Sequence, residues 1–325
     1  MIIIDLLLLF AGFTALVKGA DLFVDGSAAI ANRFHIPGAI IGLTIVAFGT
    51  SAPELAVSVS SAACGANELA LSNVVGSNIF NLLCVLGMCA LLHPVPVDPV
   101  IVKRDFTVSI AMTGFVFLFT GFFPLVSSQL FTTGMEEPIG LLSRLPAAVL
   151  LAVFIGYISF LIKDAIKHPV KEELKEEVSL IKSVIFILLG LFLIVVGGQA
   201  VVKGARALAL AAGMTETLIG LTIVAIGTSL PELVTSVVAA KKKQTEMAVG
   251  NVIGSNIFNL LFILGISAFI HPIEVNAASI YDLIILLLIT IMTLVFAVSG
   301  KRIARMEGVS MLLIYMIDVL FAVSR

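Results

Sequence analysis

The chain has 325 residues, 60% of them hydrophobic and only 12% charged, with a net charge of −2. A soluble domain carries about a quarter charged residues, so this composition excludes an ordinary soluble protein. The near-neutral balance leaves no basic face for nucleic acid. A transmembrane barrel would alternate polar and apolar residues over strands of about ten residues, and no such segments occur in this chain.

A membrane helix needs about 20 mostly apolar residues. Ten segments meet that need: 2–31, 38–63, 69–91, 105–125, 143–162, 181–209, 216–240, 246–269, 280–298 and 308–323. The first lacks a basic start and carries Asp5 instead, so it reads as a retained helix rather than a leader. Residues 124–142 hold Gly, Pro, Ser and Thr and read as a loop. The charged stretch Lys163–Glu177 reads as a solvated linker. The expected fold is an all-α polytopic membrane protein of ten helices. Its first five-helix repeat spans 1–162, a short cytoplasmic linker spans 163–180, and a second, inverted repeat spans 181–325.

Lys and Arg mark cytoplasmic loops. With the N-terminus outside, 15 of the 19 Lys and Arg residues fall inside and 4 outside, so both termini are expected outside the cell membrane. Cys64, Cys84 and Cys89 follow no metal spacing and read as small core-like residues. His35, His93, His168 and His271 fall at helix ends or in loops, where a surface role is expected.

One pattern occurs twice. GLTIVAFGTSAPE (Gly42–Glu54) returns as GLTIVAIGTSLPE (Gly220–Glu232), identical at 11 of 13 positions with an offset of 178. NVVGSNIFNLLCVLG (Asn73–Gly87) returns as NVIGSNIFNLLFILG (Asn251–Gly265), identical at 12 of 15 positions with the same offset. Five helices separate equivalent elements. Five is odd, so the second copy enters the membrane from the opposite side. Inverted repeats of this kind place a transporter's binding site near the midplane, at the repeat interface.

The repeated residues are polar groups inside apolar helices. Pro53 lacks an N–H and clashes with the carbonyl at Gly49, so the helix should break there and turn carbonyls into a cavity. Thr50 and Glu54, four apart, are expected on one face, with Ser51 beside them. Pro231, Thr228, Ser229 and Glu232 offer the same set from the other side. A mid-membrane carboxylate costs about 2.5–3.5 kcal/mol even on the gentler scale. Neither motif holds Lys or Arg. A bound cation would balance the two carboxylates; the alternative is two protonated Glu side chains acting as hydrogen-bond donors.

Every donor in the motifs is an oxygen or an amide, which suits hard cations, and Ca²⁺ takes six to eight flexible oxygens. Two carboxylates balance one Ca²⁺, and several Na⁺ could compete for the same oxygens. In the second motif Ser77 and Asn81 share a face, as do Ser255 and Asn259. The two Ser residues could ligate ions or serve helix packing. Asn78 and Asn256 lie on another face and are expected to cap or hydrogen-bond to the broken helix.

GTSAPE with GSNIFN, and GTSLPE with GSNIFN, resemble the two alpha repeats of the sodium/calcium exchanger family, within the cation/calcium antiporter superfamily. The ten helices and short central loop resemble its prokaryotic members. The resemblance implies a Na⁺/Ca²⁺ antiporter rather than an enzyme, with no cofactor, the lipid bilayer as its setting and a monomer as the working unit. It implies that Glu54, Glu232, Thr50 and Thr228 bind Ca²⁺. It implies Na⁺ at the carbonyls of Ala47 and Ala225 and at Ser51, Ser77, Ser229 and Ser255, with Asn81 and Asn259 as the central polar pair. Some relatives, potassium-dependent ones among them, have Asp in place of Asn259, so no K⁺ requirement is expected. Proton-coupled members usually carry an acidic residue early in the second motif, where this chain has NVVGSN and NVIGSN. A proton-coupled Ca²⁺ antiporter is the second reading, and a cation channel the third.

Overall fold

The computed structural model describes residues 2–64, 68–169, 179–213 and 225–324. Its helical passes follow the expected order. α1 is Ile2–Phe34, and a bent pass joins α2, Gly38–Thr50, to α3, Ala52–Ala63. α4 spans 68–92, α5 spans 101–120 and α6 is Arg144–Lys167. α7 is Leu180–Ala211, and a second broken pass holds α8, Ala225–Thr228, and α9, Leu230–Lys241. α10 is Thr245–Ile270, α11 is Ala277–Ser299 and α12 is Arg305–Ser324. The start of the expected seventh helix and half of the linker, 170–178, lie outside the described residues. Among the described residues, six helices are long and apolar enough to cross a membrane singly, and the bent pair α2–α3 makes a seventh. The chain is an all-α polytopic membrane protein whose helices make ten passes in two inverted repeats of five.

Two segments differ from expectation. Gly121 ends α5 at Thr120, and the stretch read as a plain loop forms two short helices, Phe122–Val126 and Gln129–Thr132. It then forms strand β1, Pro138–Leu142, which pairs antiparallel with β2, Ile273–Asn276. These backbone groups must find partners where they leave the helical ladder, and strand pairing across the repeats supplies them. Arg104, counted as a loop cation, is instead held in place. Its guanidinium bonds Asp105 at 2.7 Å and Asp164 at 2.8 Å, while Tyr157 Oη donates to Asp105 Oδ1 at 2.9 Å, tying α5 to α6.

Burial separates inner from outer helices. In the most apolar stretches of α4 and α10, 78% of residues are buried, against 22% for α1 and α7. α1 and α7 present Phe10, Ile181 and Phe192 outward, as lipid-facing helices do. They pack antiparallel, with glycines seven apart along each seam: Gly12, Gly19 and Gly26 against Gly190, Gly197 and Gly204. A Cβ on Gly19 would sit 2.8 Å from Gly190 O, and one on Gly190 would sit 2.6 Å from Phe23 N. Only backbone fits between them, so the two long helices form one close-packed pair.

Gly190→Leu should therefore destabilise the protein by about 1–3 kcal/mol through overpacking. Gly156→Leu, where an added Cβ meets nothing within 4 Å, should leave stability unchanged. Thermal unfolding of the purified protein in detergent reads both.

Candidate functional site

The break in the second pass falls at Ser51, with φ −83° and ψ 11°, and the pass bends by 51°. Pro53 sits in the first turn of α3, where a missing N–H is tolerated. Ser229 takes the same conformation, φ −94° and ψ 7°, ahead of α9 and Pro231. Both breaks place a Glu in the first turn of the following helix: Glu54 on α3 and Glu232 on α9. Both carboxylates are 0% exposed. Among the described residues the ion pairs involve Arg104, His168 and Lys242, and none includes either Glu.

The two break-point serines reach across to the other repeat, while Thr50 Oγ1 also donates to the Ala47 carbonyl of its own at 3.4 Å. Ser51 Oγ donates to Glu232 Oε1 at 2.7 Å, and Ser229 Oγ donates to Glu54 Oε1 at 2.9 Å. Thr50 likewise stands beside Glu232, and Thr228 beside Glu54. The break at Ser51 falls between Thr50 and Glu54, so the helix face they were expected to share is interrupted there. Four-residue spacing aligns side chains only along a continuous helix, and the break at Ser51 swings the hydroxyls across to the opposite repeat. Ser77 Oγ lies 3.1 Å from Ser229 Oγ, so it joins the same cluster. The Ala47 carbonyl accepts from Ser51 N at 3.0 Å. The side chain of Ala225 lies outside the described residues.

α4 and α10 cross beside this pair. Each contains a widened helical turn, beginning at Asn81 and at Asn259; such turns are frequent at functional sites. Asn78 and Asn256 bond to each other's backbone, each Nδ2 donating to the other's carbonyl at 3.1 Å. The expectation that they bond to the broken helices is corrected, because the crossing of α4 and α10 puts them face to face. That role falls to two residues missed in the sequence. Asn73 Nδ2 donates to Ser58 Oγ at 3.0 Å, and Asn251 Nδ2 donates to Ser236 Oγ at 2.9 Å. Thr50 Oγ1 also lies 3.1 Å from Asn251 Oδ1. The signal was present, since Asn73 and Asn251 open both copies of the second motif.

Five buried oxygens of the expected ligand residues have no hydrogen-bond partner: Glu54 Oε2, Glu232 Oε2, Asn81 Oδ1, Asn259 Oδ1 and Ser255 Oγ. Leaving one such group unpaired costs about 1–3 kcal/mol, more when it is charged. A hard cation would satisfy carboxylate, amide and hydroxyl oxygens together.

The unequal settings of Asn251, which is buried, and Asn73, which is half-buried, predict unequal costs. Asn251→Ala strands Ser236 in the interior and should destabilise by about 1–3 kcal/mol. Asn73→Ala should cost less, since water can replace the lost amide; thermal unfolding in detergent compares them.

The family model described as "Sodium/calcium exchanger protein" matches residues 4–163 and 182–324. A putative antiporter, CaxA, of Alkalimonas amylolytica is 35% identical over 316 residues, covering 94% of each chain. The sodium/calcium exchanger MaX1 of Methanosarcina acetivorans is 33% identical, covering 97% of each. A solved structure of the sodium-calcium exchanger NCX_Mj, soaked with Na⁺ and Sr²⁺, superposes with a TM-score of 0.82 at 30% identity, covering 98% of this chain and 99% of that one. The chain belongs to the sodium/calcium exchanger family.

Proposed function

We propose that this protein is a secondary antiporter that exchanges Na⁺ for Ca²⁺ across the cell membrane by alternating access. The observation that carries the reading is the set of five partnerless buried oxygens, two of them on the fully buried carboxylates of Glu54 and Glu232. No Lys or Arg pairs with those carboxylates among the described residues. Uncompensated charge at mid-membrane marks an ion pathway. Family membership supports a Ca²⁺ antiporter, and the named relatives include sodium/calcium exchangers.

In this reading Glu54 and Glu232, with Thr50 and Thr228, hold Ca²⁺ at the repeat interface. Na⁺ competes for the same carboxylates and for Ser51, Ser77, Ser229, Ser255 and the carbonyls of Ala47 and Ala225. Asn81 and Asn259 supply neutral oxygens. The crossed hydrogen bonds support treating the two halves as one site, because each repeat's serine already touches the other's carboxylate. The repeats 1–162 and 181–325 are joined by the segment 163–180 on the cytoplasmic face, with both termini outside. The monomer is the working unit.

Charge arithmetic sets the coupling. Two carboxylates balance one Ca²⁺, and loading more than two Na⁺ leaves the site net positive, so exchange moves charge across the membrane. Asn at 259 cannot ionise, so no further cation is needed and K⁺ is not required.

In proteoliposomes, an outward Na⁺ gradient should drive ⁴⁵Ca²⁺ uptake, an interior-negative potential should slow it because net positive charge leaves, and removing K⁺ should change nothing. Uptake driven by a pH gradient alone would replace Na⁺ coupling with proton coupling. Open-pore conductance without countertransport would indicate a channel.

A further inference from the structure

We infer that Asn78 and Asn256 are positioning residues: each orients the amide of the other repeat's ligand, Asn256 that of Asn81 and Asn78 that of Asn259, so that the amide oxygens are left for the ion. The inference rests on the exchanger reading above and extends it to residues outside the proposed ligand set.

The chain of reasoning begins at two backbone carbonyls, which can only accept. Asn78 contacts the Asn256 carbonyl at 3.1 Å, so the atom there must be its Nδ2; the reverse contact fixes Asn256 in the same way. The Oδ1 atoms of Asn78 and Asn256 are then acceptors by elimination. Asn81 approaches Asn256 Oδ1 at 3.1 Å and Asn259 approaches Asn78 Oδ1 at 3.0 Å, so both must present Nδ2 there. A flip of either amide would set oxygen against oxygen. The acceptor that remains on Asn81 and Asn259 is Oδ1, and both of these oxygens are buried and unpartnered.

The packing sets the turns that carry those oxygens against the helices that carry the carboxylates. The turn starting at Asn81 packs against α9, which carries Glu232, and the turn starting at Asn259 packs against α3, which carries Glu54. All four Asn side chains are buried, so water does not offer an alternative set of partners. The wiring therefore runs between repeats, from 256 to 81 and from 78 to 259, and not between neighbours on one helix. It also requires a donor at positions 81 and 259, which an ionised Asp could not provide.

Groups that orient a metal ligand through a hydrogen bond typically cost about 10- to 100-fold in affinity when removed. Equilibrium ⁴⁵Ca²⁺ binding to the purified protein in detergent, arranged as double-mutant cycles, isolates the effect. Asn256→Ala should weaken Ca²⁺ binding about 10- to 100-fold when residue 81 is Asn, and far less in an Asn81→Leu background, where no amide is left to orient. The same substitution should act additively with Asn259→Leu. Asn78→Ala should show the mirror pattern, coupled to Asn259 and additive with Asn81. Asn256→Asp, which in its protonated form can both accept from Asn81 and donate to the Asn78 carbonyl, should recover most of the lost affinity. It serves where the alanine variant fails to fold. Additive behaviour in the 256–81 and 78–259 cycles, coupling that follows the helix rather than crossing it, or an Asn256→Asp protein that folds but binds no better than the alanine variant would each overturn the inference. Absence of Ca²⁺ binding by the unaltered chain would instead remove the exchanger reading, and this inference with it.

Discussion

Two carboxylates, Glu54 and Glu232, lie fully buried with no basic side chain paired to either among the described residues. Much of the inner architecture answers to that constraint. Removing a charged group from water without a partner is among the costliest things a protein can do. The cost is met by convergence: the break at Ser51 and the break at Ser229 bring a serine from each repeat onto the carboxylate of the other. One oxygen of each Glu is thereby held and the other is left over. A half-satisfied carboxylate pair surrounded by neutral oxygens is poorly stable alone and well suited to a hard cation.

The crossing of partners has a structural consequence. A site built wholly within one repeat could form without the other. Here neither half is complete, because Thr50 and Ser51 at the first break face Glu232 while Glu54 faces Ser229. The reciprocal amides of Asn78 and Asn256 add a second set of cross-repeat bonds between α4 and α10. These inner helices form a firm, polar-stitched centre. Outside it α1 and α7 pack on each other through glycine, with backbone against backbone. The molecule thus combines a hydrogen-bonded core with an outer pair packed on each other through glycine, α1 meeting the core through Asp25 and Lys242, at the end of α9, at 2.7 Å.

Much of this was legible in the sequence. Apolar length gave the helices to within a few residues, and the offset of 178 joined Glu54 to Glu232 before any coordinates. Pro53 marked the break, since a missing N–H and a ring clash are local effects that need no tertiary information. The partners were not legible. Spacing rules place Thr50 and Glu54 together only along an unbroken helix, and the break that Pro53 announces also cancels that rule. Asn78 was read against the broken helix because sequence spacing cannot show which helices cross; α4 meets α10, and Asn73 takes the contact instead. The pairing of Pro138–Leu142 with Ile273–Asn276 joins segments far apart in the chain, and no local pattern announces it.

The central claim is that Glu54 and Glu232 act as one two-sided cation site. Equilibrium Ca²⁺ binding to Glu54→Gln and Glu232→Gln proteins tests it most directly. Glutamine keeps the acceptor that Ser229 or Ser51 needs, so both variants should remain folded. The account predicts that each substitution alone abolishes Ca²⁺ binding, to the same extent from either side. Near-native binding in either variant would contradict it.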